Sequence, residues 1–231
     1  EPLSLQLQIA LTVNGFVPIG ENEWKKSGIE ENDDLLISRE LGSGVIFAAA
    51  MNNSISPQFF DNAINLLSQS QYKLVESLRG MRSFDSQNIV HSCTDITGFG
   101  LLAHLSEMIQ ATNSMRSKDE LVPLKIMLDA QSIPSMKGAL SLFKSGFSST
   151  LAPSNRKAWR FLRHNSTGTT PSIELGLGGV EAQSEDHYAI LELIVDPQTC
   201  GPLVIACNSK FSERLIDLGP WVRIGKAMKQ V

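Results

Sequence analysis

Apolar positions along this chain switch between two periods, and the switches mark out its elements. Leu5, Leu7 and Ile9 alternate with Gln6 and Gln8, and the run then stays mostly apolar through Leu11, Val13, Phe16 and Val17. That pattern predicts one long strand over residues 5–17. Residues 20–34 are charged and turn-rich and read as a linker. Asp34-Leu35-Leu36-Ile37-Ser38-Arg39 is a short apolar strand ended by Gly42-Ser43-Gly44, and Val45 to Met51 begins a helix or a second strand. From Pro57 to about Leu78 the spacing turns helical. Phe60, Ala63, Ile64, Leu67, Leu74, Val75 and Leu78 form one stripe, with a weak point at Ser68-Gln69-Ser70-Gln71.

Beyond this stripe the two periods keep alternating. Strands are predicted near 88–94, 122–128, 188–195, 203–206 and 222–227. Helices are predicted over about 100–112, over Met136 to Lys144 with Gly146 closing it, and from a cap at Asn208 or Ser209 to about Leu218. The stretch from Phe147 to about Glu181 has little periodicity. It carries Asn155-Arg156-Lys157, Trp159-Arg160 and Arg163-His164. It reads as a solvated loop with one short helix near 156–163, or as a mobile cover whose basic residues meet phosphate. Strands and helices in this irregular order suit an α+β fold, a mixed β-sheet with helices packed on it.

One stretch concentrates the candidate chemistry. In His91-Ser92-Cys93-Thr94-Asp95-Ile96-Thr97-Gly98-Phe99-Gly100 a strand ends, a turn follows and a helix begins. Asp95 places a carboxylate at the strand's end. Gly98 and Gly100 can take φ > 0 and let a ligand or another backbone come close. Thr97 is a candidate N-cap, leaving amides that could face an anion. A carboxylate beside an anion site suits Mg²⁺, which takes one or two protein carboxylates plus phosphate oxygens. The plainer reading is an Asp-capped turn whose glycines serve turn geometry. A second turn, Asp196-Pro197-Gln198-Thr199-Cys200-Gly201, reads as the middle of a strand–turn–strand unit that forms an anion nest, or as a hairpin whose Asp196 satisfies its own turn amides. His104 reads as a partly buried, hydrogen-bonded histidine, and Cys93 as a small buried hydrophobe.

Composition narrows the class. Over 231 residues, hydrophobic residues make up 42% and charged residues 19%, as in soluble globular proteins. A formal charge of −4 leaves no basic surplus for a nucleic-acid partner. No apolar run approaches a membrane span. Cys93, Cys200 and Cys207 lack metal-ligand spacing and suit reduced thiols in a cytoplasmic protein. The chain opens without Met, directly in an alternating strand, which reads as a segment of a longer protein.

Four blocks carry a family resemblance. Thr94 to His104, followed by Glu107-Met108, is similar to the C-T-D-V-T-G-F-G-L-L-G-H…E-M signature of selenophosphate synthetases (selenide, water dikinases). Val195 to Leu203 resembles that family's D-P-Q-T-S-G-G-L block, Leu41 to Val45 its L-G-T-G-V, and Val222 to Lys226 its closing I-G-R strand. Three departures stand out. Cys200 replaces Ser, Pro202 replaces the second Gly, and Arg39-Glu40 stands where the family tends to have Lys-Pro.

The resemblance implies a C-terminal domain of the aminoimidazole ribonucleotide synthetase type, with α/β/α layers. It implies a boundary near residue 28, with 1–28 a tail strand and linker from an N-terminal ATP-binding domain and 29–231 the C-terminal domain. The tail strand, without its home sheet, is then expected to be disordered or docked on a neighbouring molecule. The family reaction is ATP + selenide + water to selenophosphate, AMP and phosphate. Its nucleophile and glycine-rich stretch lie in the N-terminal domain, so no catalytic nucleophile is expected here and the fragment is expected to be inactive alone. Asp95 maps onto one of the acids that hold Mg²⁺. Thr94, Thr97, Gly98, Gly100, Gln198, Thr199 and Gly201 are then expected near the nucleotide phosphates. The partners implied are the N-terminal domain, ATP, selenide and a second copy of the chain in a homodimer. Another enzyme of the same superfamily and a non-enzymatic interaction module are the alternatives.

Overall fold

Asp34–Ile37 (β1) has no polar face to offer water beyond its first residue, and all four of its residues are buried. A strand of that kind belongs inside a sheet covered on both sides. The computed structural model describes residues 23–84, 89–162 and 172–230, together with positions 12 and 14–16, and it places β1 accordingly. The other strands are Val90–Asp95 (β2), Leu124–Asp129 (β3), Ile173–Gly176 (β4), Leu203–Cys207 (β5) and Val222–Lys229 (β6), and the order across the sheet is β2-β5-β1-β6-β3-β4. Neighbours pair antiparallel except β3 and β4, which run parallel.

The helices are Ser43–Met51 (α1), Pro57–Ser68 (α2), Tyr72–Phe84 (α3), Gly100–Lys118 (α4), Ala139–Lys144 (α5), Ala152–Asn155 (α6), Glu185–Val195 (α7) and Ser209–Leu218 (α8), with a 3₁₀ turn over Arg156–Phe161. They cover both faces of the sheet. Leu35 and Ile37 enter a large core with Ile46 of α1, Leu67 of α2, Leu105 of α4 and Ile194 of α7. Leu36, pointing the other way, meets Leu78 of α3, Leu215 of α8 and Trp221. The result is the α/β/α layering of the expected α+β fold.

The helical stripe over 57–78 is two helices on opposite faces. Leu67 lies in the first core and Leu78 in the second, so the Ser68–Gln71 link carries the chain around the end of the sheet. Pro57 sits at the first helical position, where its missing N–H costs nothing.

Residues 188–195 are not a strand. They are most of α7, where Ala189, Ile190, Leu191, Leu193, Ile194 and Val195 are all buried. A helix covered on nearly every side loses its 3.6-residue polarity pattern, and its β-branched run imitates a strand. With α7 a helix, the 196–201 turn joins a helix to a strand, and no hairpin forms there. β4 lies inside the stretch read as a loop, too short at four residues to show a period. The predicted strand 5–17 lies outside the described residues, apart from its few described positions. From the tail and linker, residues 25–28 lie beside β2, where the Cys93 amide donates to the Lys25 carbonyl at 2.9 Å.

Candidate functional site

Pairing registers bring the motif blocks to one end of the sheet. Asp95 at the end of β2 stands opposite Leu203 at the start of β5, and Ile37 at the end of β1 stands opposite both Val204 and Val222. The two turns are tied directly to each other. The Ile96 amide donates to the Pro202 carbonyl at 2.8 Å, and the Gln198 amide donates to the Thr97 carbonyl at 3.0 Å.

Asp95 is exposed at this end, and among the described residues nothing donates to its carboxylate. Its neighbours hold the backbone. Ile96 is fully buried, and buried Thr94 donates its hydroxyl to the Asp95 carbonyl at 3.3 Å. Thr97 is not the N-cap. Helix α4 begins at Gly100, its N-cap position is Phe99, and no side chain caps it. The Thr97 amide instead donates to His104 Nε2 at 3.3 Å, which fixes that ring nitrogen as an acceptor. Burial lowers the His104 pKa, consistent with a neutral ring. Of the two glycines, Gly100 has φ 78°, and a Cβ there would come within 2.7 Å of the Val195 carbonyl carbon. Its freedom serves close packing on the end of α7. Gly98 stays outside the left-handed region and has open space beside it.

The 196–201 turn closes on the 42–44 turn. Gln198 is buried, and its Oε1 accepts from the amides of Gly42 and Ser43 at 3.1 and 3.3 Å and from the Ser43 hydroxyl at 3.1 Å. Its Nε2 donates to the Asp196 carbonyl and carboxylate. Asp196 is fully buried, and its Oδ2 also accepts from the Gly44 amide at 2.9 Å. Burial pushes its carboxyl up to about 7, against the pull of the Gly44 and Val45 amides and the Gln198 side chain. The Thr199 amide donates to the Ser43 hydroxyl, and a Cβ on Gly201 would collide with the Ile96 carbonyl oxygen. Asp196 and Gln198 thus occupy the free amides at the start of α1. The Gln198 side chain is committed inside the chain, whereas Thr199 remains exposed. Ser43 and Asp196 are the clip residues that periodicity alone could not find; the glycines around Ser43 were the available signal.

The basic stretch is anchored too. Arg156 pairs with Glu192 through two hydrogen bonds, at 2.8 and 3.1 Å. Asn155 donates to the carbonyls of Gly98 and Val195, pinning the signature turn to α7. Arg163 and His164 lie outside the described residues. Cys93, Cys200 and Cys207 are free thiols, and burial with the nearby Asp95 charge pushes Cys93 up to about 11, which makes it a poor nucleophile. Among the described residues no group of three His, Cys, Asp or Glu side chains could hold a metal. As an exposed carboxylate, Asp95 could offer a divalent cation one hard-oxygen ligand.

Residues 30–218 match the family model described as AIR synthase related protein, C-terminal domain. The chain belongs to that family. Curated relatives include the selenide, water dikinases of Geobacter metallireducens, 28% identical over 218 residues and 92% of this chain, and of Treponema denticola, 28% identical over 211 residues and 90% of this chain. They bear out the resemblance to selenophosphate synthetase C-terminal domains. The chain spans about half the length of these relatives, 52% and 48%. The fold matches a thiamine-monophosphate kinase from Stenotrophomonas maltophilia, with TM-score 0.53, 15% identity and coverage of 90% of this chain and 51% of that one. It also matches the hydrogenase maturation protein HypE of E. coli, with TM-score 0.52, 15% identity and coverage of 90% and 47%. Among the described residues no helix is long and apolar enough to cross a membrane.

Proposed function

We propose that this chain is the C-terminal half of a selenophosphate synthetase and contributes Asp95 to a composite site completed by an ATP-binding domain. One observation carries the reading. The aspartate of the T-D-I-T-G-F-G block is exposed and its carboxylate accepts no hydrogen bond among the described residues, while Thr94 and Ile96 beside it are buried. A carboxylate held in place by backbone pairing, with its oxygens left to solvent, suits an external cation. Mg²⁺ bound there would neutralise phosphate charge, which phosphoryl transfer requires. What this chain itself does is position. β2–β5 pairing fixes the Asp95 backbone, and the Ile96–Pro202 and Gln198–Thr97 hydrogen bonds hold the two turns together.

Thr94, Thr97, Gly98, Gly100, Gln198, Thr199 and Gly201 are proposed as the scaffold of that site. Exposed Thr97 and Thr199 and the open side of Gly98 are the positions a phosphate could reach. ATP, selenide, the N-terminal domain and a homodimer are the proposed partners, with the cytoplasm as the compartment. In the full-length protein, Asp95→Ala is expected to lower selenide-dependent ATP turnover by about a hundredfold or more, the scale of losing several kcal/mol of charge stabilisation. The melting temperature should stay within about 2 °C. Full activity in that variant contradicts the reading.

A second reading, a non-enzymatic module, rests on Pro202. Its carbonyl accepts from Ile96, but it has no amide to give a phosphate, and it stands at the second glycine of the D-P-Q-T-S-G-G-L block that the chain resembles. An intact full-length protein that turns over no ATP with selenide and Mg²⁺ present would favour it.

A further inference from the structure

Where the chain crosses from one face of the sheet to the other, the Ser68–Gln71 link leaves a cavity of about 380 Å³ beside the end of β1. That size lies at the lower end of ligand pockets, which run from about 300 to 1,000 Å³. Leu66, Leu74, Pro134 and Pro220 give it apolar walls, and Arg39, Glu40 and Lys73 line it as well.

Arg39 is unusual for a lining residue, because it is 92% buried, only 8% of its surface being exposed. A buried arginine ordinarily faces a carboxylate. Here it forms no ion pair among the described residues. One N–H of Nη1 donates to the Cys200 carbonyl at 2.8 Å, and one of Nη2 to the Gln69 carbonyl at 2.7 Å. A guanidinium has five N–H groups, so Nε–H and the remaining terminal hydrogens have no acceptor among the described residues. Two carbonyls satisfy two hydrogen bonds and leave the charge unbalanced, and burial lowers the Arg39 pKa accordingly. Lys73, exposed at the rim, adds a second cation. Glu40, exposed on the lining, carries a carboxylate whose charged form desolvation disfavours and the Lys137 charge favours.

We propose that this cavity binds a small organic oxyanion, a phosphate or carboxylate carried on an apolar body, with the free N–H edge of Arg39 as its seat and Lys73 at its mouth. The fork of a guanidinium matches either headgroup in a paired geometry. The apolar walls favour an anion with a hydrophobic body over a bare ion. The site lies at the same end of the sheet as Asp95, two strands away, or about 10 Å. It stands independently of any role for Asp95.

The test uses the 231-residue chain and titrates phenyl phosphate, benzoate, inorganic phosphate and neutral phenol while following backbone amide NMR signals. Phenyl phosphate or benzoate is expected to give saturable shifts at Gln69, Ser70, Gln71 and Lys73 with Kd below about 1 mM. Whichever binds tighter names the headgroup, and inorganic phosphate should bind more weakly than phenyl phosphate. Arg39→Gln should weaken binding at least about tenfold. Because Arg39 also ties two loops together, Lys73→Glu serves as the variant that keeps the fold, and it should weaken binding about fivefold. No saturable shift up to about 10 mM, binding of phenol equal to that of phenyl phosphate, or affinity unchanged in Lys73→Glu would overturn the proposal.

Discussion

Asp95 and Asp196 flank the same pair of turns and meet opposite fates. Asp95 is exposed and free to meet a ligand, whereas Asp196 is sealed inside and holds the start of α1. The sealed one makes stability depend on pH. Its folded pKa, about 7, lies above the ordinary carboxylate value, so folding favours the protonated form. That contribution is fully present below about pH 4 and is lost as pH rises toward 7. Urea titrations at about pH 5 and about pH 8 should show the wild type weakening across the interval, and Asp196→Asn should flatten the loss, which is at most about 1.4 kcal/mol per pH unit for one proton. An unchanged slope in the variant would mean that Asp196 does not titrate there. Gly201 offers a steric counterpart. Its missing side chain makes room for the Ile96 carbonyl oxygen, so Gly201→Ala should cost at least about 2 kcal/mol in the same assay.

At the scale of elements, the clip between the 196–201 turn and α1 does what a capping side chain normally does. The α1 N-cap position is Gly42, with φ 117° and no side chain to offer, and Gln198 supplies the acceptor from 155 or more residues away. Gln198→Ala leaves the Gly42 and Ser43 amides buried and unpaired. It should destabilise the chain by about 2–4 kcal/mol, read by chemical denaturation. A loss under about 0.5 kcal/mol would show that another group takes over the cap.

Long-range ties of this kind also explain what could be read in advance. β1, β2, β3, β5, β6 and α8 were legible because their apolar runs or stripes are bounded by turn residues, and α8 carries the expected Asn208 cap. α7 was not, because burial on nearly all sides erased its period. Its start did carry a signal, Ser184 followed by Glu185 and Asp186, with the Ser184 hydroxyl accepting from the His187 amide. Within the site, the carboxylate at a strand end could be read from sequence. Thr97 as a cap could not, since α4 starts only at Gly100 and the Thr97 hydroxyl lies 3.2 Å from His104 Nε2, one turn into that helix. Nor could the commitment of Gln198, whose partners lie on a turn far away in sequence.

For the whole molecule, the sheet gathers the motif blocks at one end, yet the described residues assemble no metal cluster there. One hard-oxygen ligand holds Mg²⁺ weakly, because that ion keeps most of its waters unless phosphates or further carboxylates replace them. The 231-residue chain alone is therefore expected to show no ATP turnover above background, and rapid turnover by the pure chain would contradict the division of labour proposed here. The most direct measurement counts Mn²⁺ bound by the full-length protein with a non-hydrolysable ATP analogue, by electron paramagnetic resonance, for wild type and Asp95→Asn. The expected result is loss of a bound ion, or at least about tenfold weaker binding of one, in the variant, with the fold intact. Identical stoichiometry and affinity in the two proteins would contradict a metal-binding role for Asp95.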